Sequence, residues 1–273
     1  MIEALRFEFM QNALLAGFLV SLACGIIGSY VVVKRMVFVS GGIAHAAYGG
    51  IGLGYFFGFE PILGAVIFAL GGAWAMGAAQ QHRRERTDTL IGVLWALGMA
   101  IGIILIDMTR GYKADLMGYL FGSILAIPRT DLWIMAGLDI AIVAVTVLFF
   151  KEFLAVSFDE TFARVAGVPV AAVNLILLSL IALSVVMMMR VVGLIMVIAL
   201  LTIPAAVAGR FVRDLGRMMI LATALGFVFT LGGLWLSHAW DLTSGAAVIL
   251  VAGAAYMLSL LRRRTDAAGA PSG

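Results

Sequence analysis

The chain has 273 residues, of which 63% are hydrophobic and 12% charged, and that charged share is about half of what a soluble domain carries. A water-soluble globular protein is thereby excluded, and the net charge of +3 bears on membrane topology rather than on nucleic-acid contacts. Each membrane crossing needs about 20 apolar residues, so the composition describes an all-α polytopic membrane protein of about eight or nine helices.

The N-terminal MIEALRFEFMQ carries two acids and one arginine, the wrong charge for a secretory signal, and the apolar run behind it is too long for a signal core. Residues 12 to 33 therefore read as a retained first span. Further spans fall at 37 to 57, 61 to 80, 89 to 107 and 131 to 150, and then at 171 to 190, 191 to 211, 217 to 237 and 243 to 261. Residues 112 to 127 are too short to cross and read as an outer surface helix or a re-entrant piece. The runs on either side of Arg190 and Gly193 meet with almost no loop. Residues 1 to 261 form one transmembrane domain, and RRRTDAAGAPSG, residues 262 to 273, forms a basic tail expected to be disordered.

Alternating the loops places 13 of the 18 basic residues on one face: Lys34, Arg35, Arg83, Arg84, Arg86, Lys151, Arg164, Arg210, Arg213, Arg217 and Arg262 to Arg264. Lys and Arg gather on the cytoplasmic side of membrane proteins, so this face is expected inside, with the N-terminus outside and the C-terminus inside. On the longest cytoplasmic interval, Asp159 and Glu160 precede a short alanine-rich helical pattern that stops at Gly167 and Pro169. Such a helix is a natural docking element, and a plain surface loop is the competing description.

Catalysis finds little support. None of the three lysines follows a glycine, so there is no phosphate-binding GxxxxGK[ST], and HExxH and GxSxG are also absent. The single cysteine, Cys24, lies inside an apolar run and allows no intrachain disulfide. Attention falls on the second span. There Gly42, Ala46, Gly50, Gly54 and Gly58 recur every four residues, a ridge against which a neighbouring helix can pack closely. His45 borders that ridge between Gly41 and Gly49. An intramembrane imidazole faces a polar cavity or a partner, and neutral imidazole is a good ligand for divalent metals. A purely structural hydrogen bond between helices is the alternative.

Asp139 is the one deeply placed acid; it could pair with His45, become protonated or stand by at a helix interface. Asn174, Ser179 and Ser184 read as interhelical hydrogen-bonders, and Met187, Met188 and Met189 as packing, since consecutive residues cannot share a helix face. Glu60, Asp107, His238 and Asp241 gather on the outer face, where they would attract a cation or simply be solvated. Pro204, followed by small residues, is expected to kink the seventh span.

VVGLIMVIALLTIPAAVA closely resembles the signature of the permease subunits of metal-ion ABC importers, the bacterial zinc and manganese uptake family of ABC-3 type. GSYVVVKRMVFVSGGIAHA, YLFGSILAIPRTDL, SFDETFARVAGVPV and DLTSGAAVIL resemble further segments of that family in the same order. The resemblance implies the fold of the vitamin B12 and siderophore permeases and a homodimer in the bacterial cytoplasmic membrane. It also implies cytoplasmic ATPase subunits that hold the ATP, and an extracytoplasmic metal-binding protein. Asp159, Glu160, Ala163, Arg164, Ala166, Gly167 and Val168 would then couple to the ATPase, and His45 would take the place of the family's pore-lining histidine. Asp139 could complete the metal path, and Gly193 falls within the signature. Two positions depart from the pattern: Gly41 stands where an aspartate is usual, and Thr243 where proline is. The expected cargo is a divalent transition metal, zinc first and then manganese or iron, carried by alternating access with no tightly bound cofactor. The alternative is a permease for a chelate such as a siderophore or corrinoid.

Overall fold

The computed structural model describes residues 7–81, 87–109 and 116–261. Predictions about Arg83, Arg84, Arg86, Arg262 to Arg264 and the tail lie outside the described residues. In chain order the helices are α1 (Glu8–Val33), α2 (Val37–Phe57), α3 (Pro61–Gln81), α4 (Thr87–Met108), α5 (Leu116–Phe121), α6 (Arg129–Leu148), α7 (Phe150–Phe158), α8 (Glu160–Val165), α9 (Val170–Val192), α10 (Leu194–Ala208), α11 (Leu215–Trp240) and α12 (Ser244–Leu261), with a 3-10 turn at Ile124–Ala126. Eight of them are long and apolar enough to cross a membrane, as the composition implied.

The run predicted as a seventh span is a shorter element. α10 has 15 residues, which rise about 22 Å against a hydrocarbon layer of about 30 Å. The reason lies at Gly193, whose φ of 81° and ψ of 158° belong to a region open essentially to glycine alone. That residue stops α9 and lets the chain restart at once as α10. The helix then runs through Pro204. The segment at 112 to 127 resolves into α5 and the 3-10 turn. α5 ends at Gly122 with φ of 66°, and a side chain there would strike the backbone of Val192 and Gly193. The outer segment is therefore seated on the α9–α10 junction.

The spanning helices are apolar on every side, so small residues rather than an amphipathic stripe choose the neighbours. α2 is the most enclosed of the long helices. It runs parallel to α4, with His45 and Ala46 against Gly98 and Tyr48 against Gly102, and antiparallel to α3, with Gly50 against Gly64 and Gly54 against Pro61. α1 lies antiparallel to α11 through Gly17 beside Thr230 and Gly25 beside Thr223, while Gly28 meets the Leu201 carbonyl of α10. The ridge on α2 is thus shared by two helices. Residues four apart turn about 40° per step around a helix of 3.6 residues per turn, so a long ridge winds from one neighbour to the next. Gly42 meets Ile91 of α4, whereas Gly50 and Gly54 meet α3. Gly58 is not part of the ridge: it is the left-handed cap that ends α2, with φ of 74° and open space beside it.

Ion pairs define the two ends of the bundle. At one end Arg129 pairs with Glu8 at 2.7 Å, and Arg190 with Asp131 at 2.5 Å. At the other, Lys34 pairs with Glu160 at 3.0 Å.

Candidate functional site

His45 sits on the third turn of α2, where its residue is 7% exposed. Its Nδ1 lies 2.9 Å from the Gly41 carbonyl oxygen one turn earlier. A carbonyl only accepts, so Nδ1 donates its proton there and the lone pair is left on Nε2, the arrangement that readies an imidazole to bind a metal. The ring also stacks on Trp95 of α4, with centroids 3.8 Å apart and planes 20° apart. One ring face is thereby covered and the in-plane nitrogen remains.

Trp95 also explains Gly41. A Cβ at position 41 would come within 2.8 Å of both the Trp95 ring and the Ile198 side chain. The space an aspartate would need is filled by an indole. Trp95 was not singled out from the sequence, although a mid-span tryptophan is itself a signal, since this residue prefers the membrane interfaces.

Asp139 is placed elsewhere. Its residue is 2% exposed, with both carboxyl oxygens buried and without a hydrogen-bond partner. It borders a shallow apolar groove formed with Leu19 and Leu22 of α1 and with Ala136, Ile140, Val143 and Ala144 of its own helix. α6 packs mainly on α1, α7 and α9, and α2 mainly on α3, α4, α9 and α10. The structure does not bring Asp139 and His45 together within one chain. The Cys24 thiol is engaged by another partner: it donates to the Met188 thioether at 3.4 Å inside the α1–α9 contact. Met187, Met188 and Met189 are all buried.

Glu60, Asp107, His238 and Asp241 come to the same end of the bundle as Asp131 and Arg190, exposed at the end of α4, the start of α3 and the end of α11. They do not converge. Among the described residues no three histidine, cysteine, aspartate or glutamate side chains form a group able to hold a metal. Tyr55 of α2 donates to the Tyr119 hydroxyl of α5 at 3.4 Å beside this end.

The interval 151 to 170 folds as α7 and α8. The Asp159 carboxylate accepts from the Thr161 and Phe162 N–H groups at 2.9 Å each and so caps α8. The helix ends as the sequence suggested. Gly167 has φ of 84°, its N–H donates to Arg164 O, and Val168 N–H donates to Ala163 O, which together form a Schellman stop. Ala163 is buried at 0% exposure and faces inward, and Val168 is half-buried. Arg164 and Ala166 face outward, beside an apolar surface of Phe158, Phe162 and Val165 exposed at 66%, 66% and 84%. Sequence reading passed over those three. Behind α8, a polar cavity of about 180 Å³ is lined by Gln80, Glu160, Arg164 and Asn174. Burial pulls the Glu160 carboxyl upward, but hydrogen bonds from Asn174 and Lys34, and the charge of Lys34, hold it below its ordinary value. Thr243 precedes α12 and its carbonyl accepts the Ala247 N–H, an ordinary helix start that needs no proline.

Comparison with known proteins places this architecture. The chain is 60% identical over 264 residues to an uncharacterized membrane protein of Synechocystis, covering 97% of this chain and 94% of that one. It is 34% identical to the manganese transport system membrane protein MntC of Halalkalibacterium halodurans, covering 94% and 88% of the two chains. The solved structure of PsaBC from Streptococcus pneumoniae in complex with Fab superposes with a TM-score of 0.86 at 32% identity, over 95% of this chain and 94% of the other. Residues 6–263 match the model of the ABC 3 transport family, and the chain is a member of that family.

Proposed function

We propose that this protein is the membrane-spanning permease of an ATP-driven importer of divalent transition-metal ions, with manganese as the first cargo to test and zinc and iron after it. Manganese stands first because MntC carries it in its name and because the imidazole has no thiolate beside it, Cys24 being engaged with Met188; soft sulfur ligands favour other metals. The observation that carries the reading is His45, held on the most enclosed span with Nδ1 tied to Gly41 and Nε2 left to bind. A single imidazole binds a divalent ion weakly, and weak binding suits a path that must release its cargo.

On this reading two copies of the chain pair in the bacterial cytoplasmic membrane, bringing two His45 rings to a shared path. An extracytoplasmic protein delivers the ion. ATPase subunits dock on the α7–α8 surface of Phe158, Phe162 and Val165 and open the pair alternately to each side. The N-terminus then lies outside and the C-terminus inside, with α10 returning the chain from the outer end of α9 to the inner start of α11, which lies antiparallel to α1.

The test is the elemental content of cells lacking the gene and its redundant importers, grown in metal-depleted medium. Manganese is expected to fall, and to be restored by wild type but not by His45→Ala. No change in any element defeats the reading, and full rescue by His45→Ala defeats the path through that residue.

A further inference from the structure

Lys34 occupies the C-terminal cap of α1 with its side chain 8% exposed. Its ammonium donates to the Val156 carbonyl at 3.1 Å, to Glu160 Oε1 at 3.0 Å and to Asn174 Oδ1 at 3.0 Å. An ammonium has three protons to donate, so the set is complete. Asn174 closes the ring by donating Nδ2 to the same Glu160 oxygen at 3.1 Å. One nitrogen therefore joins the end of α1, α7, the first residue of α8 and the start of α9.

The turn after Lys34 transmits rather than absorbs. Lys34 N–H donates to Tyr30 O at 2.9 Å and Met36 N–H to Val31 O at 2.8 Å, around Arg35 in the left-handed conformation with φ of 57°. α2 starts directly afterwards at Val37, and His45 lies about 12 Å along its axis. Mere attachment of α7 to α1 is already supplied by the buried Tyr30 and Phe153 rings, whose centroids are 5.4 Å apart. A buried charge held by three partners adds something different: it is costly to leave unpaired, so its partners move with it.

We propose that Lys34 is the positioning residue through which displacement of α8 reaches the α1–α2 turn, and so the helix that carries His45. The proposal rests on the coupling role given to α8 under the function above.

The test uses the assembled importer, permease with the ATPase that co-purifies, reconstituted in lipid vesicles. Manganese uptake and ATP hydrolysis are measured in the same preparation for wild type, Lys34→Met and Lys34→Arg. Lys34→Met is expected to hydrolyse ATP within about twofold of wild type yet to move at least about tenfold less manganese per ATP, with part of the ratio recovered in Lys34→Arg. A wild-type ratio in Lys34→Met overturns the proposal. Should that variant fail to assemble, Asn174→Leu, which removes another acceptor of the Lys34 ammonium, gives the same readout: a lowered ratio supports the link and an unchanged one overturns it. If the wild-type chain brings down no ATPase or moves no metal, the functional reading itself fails, whatever Lys34 does.

Discussion

Glu160 is a half-exposed carboxylate whose proton affinity is set by its neighbours. Asn174 and Lys34 outweigh burial and hold it below its ordinary value of 4.5. The folded chain thus binds this proton less readily than the unfolded chain. The stabilisation is fully present above the unfolded value and is lost as the pH falls through the lower folded one. The melting temperature of the wild type should therefore drop more steeply than that of Glu160→Gln as the pH falls below the ordinary value of 4.5. Parallel profiles would show that the clamp contributes nothing to stability. At the same scale His45 was legible, because an imidazole inside a span stands out against apolar residues. Its two constraints differ in legibility. The bond to the Gly41 carbonyl follows from helix geometry, but the Trp95 stack depends on which helices become neighbours, and neither residue's local sequence states that.

Helices in this chain are chosen by hydropathy and arranged by glycine. Their existence could be read directly, since eight of the nine apolar runs became long helices and the ninth became the shorter α10. Their contacts could not, because a helix apolar on every side gives no periodic signal for its inward face. The α2 ridge shows the limit. Its close-packing character was visible, its division between α3 and α4 was not, and Gly58 proved to be a terminator. Similarly, the apolar run beyond Arg190 looked continuous until the backbone at Gly193 divided it. A Cβ on Gly50 would strike the Gly64 backbone, which has no side-chain freedom to yield, whereas nothing lies within 4 Å of the same atom on Gly71. Gly50→Ala should cost about 1–3 kcal/mol of stability and Gly71→Ala less than about 0.5 kcal/mol. Thermal unfolding of both in detergent checks this, and equal effects would argue against so close an α2–α3 contact.

At the scale of the whole molecule, polar chemistry is confined to the two ends and to a few enclosed groups, and the ends differ in kind. The end with Arg129, Asp131 and Arg190 carries ion pairs between helices. The other presents a capped, stopped and apolar-faced helix held from behind by Lys34. Phe162→Asp should abolish co-purification of an ATPase while His45→Ala leaves it intact, as pull-down from membranes would show. Loss in both variants would point to misfolding instead. The sequence located this helix through its cap and its glycine stop, but it did not give the outward face, because burial of Ala163 depends on where α7 and α9 lie.

The sulfur chemistry has a practical consequence. Cys24 is the chain's one cysteine, fully buried, with its thiol against Met188. Thiol reagents should leave the native protein unmodified until it unfolds, and mass spectrometry after maleimide treatment would verify it. Nature has supplied a silent background for spectroscopy. Paired spin labels or fluorophores on introduced surface cysteines would report distances between the two ends directly, with no need to remove the native residue and disturb the α1–α9 contact.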